Sequence, residues 1–170
     1  MLKGGAMKRF IPLLSSLLIL ASCVSYTLTV PQTEVNAKVK KVFPVKKRYS
    51  LAEVVLKNPQ VNLLNGNRGE VKLSYVLNLA GVKKIKGSLD AIGRFEYDPK
   101  SATVYLTGLE VKGIKLGGKE FNARKWSSLI ERLLGEKLYR IPVYTIKGSK
   151  AKLVKGVEVK NGKLLIKLGM

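Results

Sequence analysis

The chain has 170 residues, with 32 basic side chains against 11 acidic ones, a formal charge of +21, no histidine and one cysteine. That composition excludes histidine-based triads, imidazole acid–base pairs and imidazole metal sites, and it leaves no cysteine pair for a disulfide within the chain. So high a charge implies an anionic partner (nucleic acid, a headgroup surface or an acidic polymer) or a lysine-rich surface kept for solubility.

The first 22 residues read as an export signal. Lys8 and Arg9 precede an apolar run from Phe10 to Leu20, too short to span a bilayer as a mature helix. Met7 is an alternative start, because Met7-Lys8-Arg9-Phe10 opens a more usual signal than Met1-Leu2-Lys3-Gly4. The run closes in Leu20-Ala21-Ser22-Cys23, which resembles the lipobox of bacterial lipoproteins. That resemblance implies diacylglyceryl transfer to Cys23 and cleavage before it. Residues 1–22 are thus expected to be a signal peptide, and residues 23–170 a single domain long enough for its own core. Export removes nucleic acid from the candidate partners and leaves the membrane, a lipid ligand or an envelope protein.

Tyr26 to Val30 is β-branched and aromatic and reads as a first strand. Pro31 suits the start of a helix, with Thr33 as an alternative cap. Val35, Val39, Val42 and Phe43 make its apolar stripe, and Pro44 ends it. From Leu51 to Leu116 the period switches to two. Val54 and Leu56 come before Asn58-Pro59, Val61 and Leu63 after it, and a turn follows at Asn65-Gly66-Asn67. Val71, Leu73, Tyr75, Leu77 and Leu79 form one face of the next strand, and Ile85, Leu89, Ala91, Phe95 and Tyr97 one face of the strand after that. Asp98-Pro99-Lys100 turns into a fourth strand, Ala102 to Leu116. These strands predict an antiparallel meander. Asn122 is then expected to cap a second helix with Trp126, Leu129, Ile130, Leu133, Leu134 and Leu138 on one face. After Pro142 the run Val143 to Ile146 can extend, and the chain closes with a hairpin over Asn161-Gly162.

No carboxylate cluster has hard-metal spacing, and Gly113 to Gly118 lacks the lysine and hydroxyl ending of a phosphate loop. We therefore expect no catalytic residues, no metal and no cofactor.

Tyr26-Thr27-Leu28-Thr29, Glu34-Val35-Asn36, the strand from Ala102 to Val111 and the closing segment Leu153 to Ile166 resemble the YceB-like bacterial lipoproteins. The resemblance implies an α+β fold similar to tubular lipid-binding proteins. In that fold a curved antiparallel meander wraps around a long amphipathic helix in the C-terminal half, with a short N-terminal helix and a closing hairpin. Its ligand groove would lie between helix and sheet. We place Trp126, Ile130, Leu133 and Leu134 on the helix side and Leu73, Tyr75, Leu77, Leu89 and Phe95 on the sheet side. The densest basic clusters, Lys46-Lys47-Arg48 and Lys83-Lys84 with Lys86, read as solvated turns or as contacts to anionic headgroups.

The expected function is an envelope-anchored, non-enzymatic lipoprotein that binds or shuttles a lipid or other apolar ligand. The alternative is a structural adaptor with a closed core that docks an envelope protein. Val24 follows Cys23 with no Asp to signal inner-membrane retention. The expected location in a two-membrane bacterium is therefore the outer membrane, facing the periplasm.

Overall fold

The alternation of apolar and polar residues across the middle of the chain is realised as strands, and strands dominate the molecule. The computed structural model describes residues 25–50, 52–79, 83–121 and 140–169. In chain order the elements are β1 (Tyr26–Pro31), α1 (Gln32–Lys40), β2 (Val45–Tyr49), β3 (Ala52–Leu64), β4 (Arg68–Leu79), β5 (Lys83–Asp98), β6 (Thr103–Leu116), β7 (Lys119–Phe121), β8 (Arg140–Thr145), a 3₁₀ helix (Gly148–Leu153), β9 (Val154–Lys160) and β10 (Lys163–Leu168).

Two antiparallel sheets result. The larger runs β2-β3-β4-β5-β6-β7, with β8 pairing the other half of the same β6 edge, and the smaller runs β1-β10-β9. The expected meander is β3 to β6, with Leu73 opposite Leu89 and Phe95 opposite Leu106. The closing hairpin turns at Asn161 and Gly162, both at positive φ, as a tight Asn-Gly turn requires. Pro142 is tolerated because β8 lies at a sheet edge.

The expected α+β architecture needs correction. Among the described residues, strands dominate, the only helices are the nine-residue α1 and the six-residue 3₁₀ helix, and the sheet curls upon itself into a half-barrel. The segment expected to form that helix, with Trp126, Ile130, Leu133 and Leu134, lies outside the described residues. Lys46-Lys47-Arg48, expected as a solvated turn or headgroup contact, instead lies within edge strand β2, whose basic residues suit an exposed edge. Pro44 precedes that strand, and Val42, expected on the helix stripe, is 38% exposed.

α1 fills the seam of the curl. It packs against β3 and β8, strands from opposite sides of the large sheet. Val35 and Val39 point inward and are fully buried, each contributing about 1.5–3 kcal/mol of hydrophobic stabilisation. At Asn58-Pro59 the β3 register slips, and β2 covers only residues 52–56. The exposed edge beyond is satisfied by α1 side chains. Asn36 Oδ1 accepts from the Val61 amide at 2.7 Å, and its Nδ2 donates to the Val61 carbonyl at 3.0 Å. Gln32 Oε1 accepts from the Leu63 amide at 3.1 Å. These side-chain amides stand in for the strand that is missing there.

The small sheet closes one end of the curl, with β9 against β5 and β3. Its inward residues Val30, Leu164, Ile166 and Leu168 join the same core as Val61, Val71, Phe95 and Leu106. The Tyr97 hydroxyl donates to the Ala151 carbonyl at 2.6 Å, and the Asn161 amide donates to Asn65 Oδ1 at 3.2 Å.

Two stability outcomes follow. Asn36→Ala removes both bonds to Val61 and leaves its backbone groups unpaired, so denaturant melts should show a loss of about 2–3 kcal/mol. Asn36→Asp keeps the acceptor for the Val61 amide but sets a carboxylate oxygen against the Val61 carbonyl, so it should not recover that loss. At Gly69 an added Cβ would lie 2.6 Å from Phe95 Cζ and 3.0 Å from Leu106 Cδ1. Gly69→Ala should therefore cost about 1–3 kcal/mol, and Phe95→Leu in the same chain should recover part of it.

Candidate functional site

The inner face of the large sheet passes from buried core to a partly exposed end, its mouth, along β4. Val71 and Leu73 are buried, Tyr75 and Leu77 are half-buried, and Leu79 at the end is 37% exposed. The register carries the gradient across neighbouring strands. Leu73 faces Leu89, Tyr75 faces Gly87, Leu77 lies between Val54 and Ile85, and Leu79 between Ala52 and Lys83. Of the expected groove residues, Leu73, Leu89 and Phe95 sit inside the core at 2%, 4% and 1% exposure. Tyr75 and Leu77 reach the mouth.

Tyr75 lies across the strands. Its hydroxyl donates to the Lys115 carbonyl on β6 at 2.9 Å, and an added Cβ at Gly87 would collide with its ring and with that carbonyl. Gly87 is thus the gap through which a β4 side chain spans β5. The signal in the sequence was a glycine inside an otherwise regular strand.

The two basic clusters, more than thirty residues apart in sequence, lie on β2 and β5 at this same end of the sheet, with β3 and β4 between them. On the inner face Lys47 continues the row Val54-Leu77-Ile85, and Lys83 pairs with Leu79. On the outer face Lys46 and Lys86 flank Val55 and Val76, while Arg48 and Lys84 flank Glu53 and Asn78. Each row spans four strands, about 14 Å at ordinary strand spacing. Glu53 is the carboxylate inside the cluster. It accepts from Arg48 at 3.1 Å and from Asn78 Nδ2 at 3.2 Å, and the bond from Arg48 foremost holds its carboxyl below the usual range. Among the described residues, Lys46, Lys47, Lys83, Lys84 and Lys86 form no ion pair.

The inner face of the mouth therefore offers apolar contact from Leu77 and Ile85 and cationic contact from Lys47 and Lys83. Among the described residues no group of three His, Cys, Asp or Glu side chains could hold a metal ion, and no helix is long and apolar enough to cross a membrane.

Burial raises the ionisation of Tyr75, Tyr97 and Tyr144 above the ordinary tyrosine value, with Asp98 adding to the effect on Tyr97 and Glu34 to that on Tyr144. A raised folded-state pKa means that the unfolded chain releases these protons first, so stability falls as pH rises through and above about 10. Alkaline absorbance titration of the native protein should show a late tyrosinate phase that disappears in denaturant, and Tyr75→Phe should reduce its amplitude.

No curated protein matches the chain. Residues 30–163, most of the described strands, match a family characterised only as a protein of unknown function (DUF1439), and the chain belongs to that family.

Proposed function

We propose that this chain is a lipid-tethered, non-catalytic envelope protein that binds a lipid-like amphiphile at the mouth of its curled sheet. The observation that carries the reading is the placement of Lys47 and Lys83 on the inner face beside the half-buried Tyr75, Leu77 and Ile85, with Lys46, Arg48, Lys84 and Lys86 on the outer face of the same sheet end. An acyl chain would gain from covering that apolar strip. An anionic headgroup would gain about 1 kcal/mol per nearby lysine at low salt. The composition supports the non-catalytic part, because the chain has no histidine and its single thiol, Cys23, stands at the lipobox.

The export segment supports the location. Acylated Cys23 would hold the domain on a bacterial membrane, effectively permanently if triacylated. Val24 after it favours the outer membrane, facing the periplasm. The resemblance to YceB-like lipoproteins points the same way. The competing reading, an adaptor that docks an envelope protein, is favoured by the depth to which Leu73, Leu89 and Phe95 are buried in a closed core.

Two measurements test the proposal. Cells fed labelled palmitate should label the parent chain and leave Cys23→Ser unlabelled. With the anchored protein in uncharged detergent, a fluorescent fatty acid should bind the parent, and Leu77→Glu should weaken binding at least tenfold while the fold survives. Lys47→Gln/Lys83→Gln should weaken it severalfold at low salt and little at high salt. Unchanged binding in Leu77→Glu would remove the mouth as the site.

A further inference from the structure

A second basic concavity lies at the opposite end of the fold. It is a cleft of about 540 Å³ between the outward face of α1, strand β1 and the chain that leaves β8 for the 3₁₀ helix. Leu28, Ala37 and Ile146 supply its apolar lining. Lys38 and Lys41 reach it from α1, and Lys147 and Lys150 from the segment after β8. Glu34 is its carboxylate. None of the four lysines forms an ion pair among the described residues.

The position matters as much as the charge. Lys150 Nζ lies 5.7 Å from the centre of the Tyr26 ring, which is 54% exposed. Tyr26 is three residues after Cys23, a tether that spans at most about 11 Å when fully extended. That reach is close to the Debye length of about 8 Å at physiological salt. The cleft adjoins the Thr103 end of β6, where Thr145 pairs, whereas the mouth adjoins the Leu116 end. Along an extended strand those ends are on the order of 40 Å apart.

We propose that this cleft takes the phosphate headgroup of an anionic phospholipid in the leaflet that holds the anchor. The contact orients the domain with α1 and the 3₁₀ helix toward the membrane and the mouth away from it. The orientation rests on the anchoring of Cys23 proposed above. The site itself rests on the cleft. Four lysines against one carboxylate favour a phosphate, and the apolar lining suits the glycerol and upper acyl carbons attached to it. A cation close to an anionic surface strengthens association about fivefold, so four acting together fix an orientation that one could not.

The test uses the full anchored protein on vesicles of phosphatidylcholine, with or without one fifth phosphatidylglycerol, and a lysine-acylating reagent read by mass spectrometry. On the anionic vesicles Lys38, Lys41, Lys147 and Lys150 should react at least fivefold more slowly than on neutral ones, while Lys83, Lys84 and Lys86 change less than twofold. In Lys38→Gln/Lys41→Gln/Lys147→Gln/Lys150→Gln the neighbouring Lys152 should lose its lipid-dependent protection, and the matching arginine variant should retain it. Equal reactivity of the four lysines on both vesicles overturns the site. Equal protection by inorganic phosphate on neutral vesicles makes it a free-anion site and overturns the headgroup assignment. A chain that fails to float with neutral vesicles is not anchored, which overturns the orientation separately.

Discussion

The curl of the large sheet depends on how its seam is closed. An open β edge exposes unpaired amides and carbonyls, and burying them without partners is costly. The register slip at Asn58-Pro59 creates such an edge on the second half of β3. The side chains of Asn36 and Gln32 answer it from α1. Because Val35 and Val39 alternate with them around the same helix, one short element pairs the edge and plugs the core. The half-barrel and the small sheet that caps it are joined to that closure through one shared core.

Much of the strand framework was legible in the sequence, because period-two patterning and turn chemistry act locally. The hairpin at Asn161-Gly162, the turn at Asp98-Pro99-Lys100 and the alternating runs of β4 and β5 were readable for that reason. Strand β2 was not readable. Val45 to Tyr49 has too few apolar residues to show alternation, and it extends because the edge of β3 recruits it. The role of Asn36 was equally hidden, because a polar residue on a helix carries no mark of the backbone it will meet 25 residues later. The architecture failed at the step from elements to assembly. A helix stripe and a sheet face both need cover, but patterning does not say which element supplies it.

The candidate site was partly legible. The sequence singled out both lysine clusters, and only the register shows that they share one end of the sheet around Leu77 and Ile85. Leu73, Leu89 and Phe95 were marked by the same apolar alternation that marks core residues, and they are core residues. Alternation reports burial but does not separate a packed interior from a ligand surface. Exposure rises from Leu73 to Leu79, which separates the packed interior from the solvent-facing end, and it appears only once the strands are aligned.

The account rests on the mouth holding an amphiphile in the cell. The direct measurement is native mass spectrometry of the anchored protein, purified from bacterial envelopes in uncharged detergent, followed by solvent extraction and lipid identification. It predicts discrete lipid-sized mass increments beyond the acylated chain, lost in Leu77→Glu. A single mass for the acylated chain, with no uptake of added fatty acid or phospholipid, would contradict it and leave a closed-core adaptor in its place.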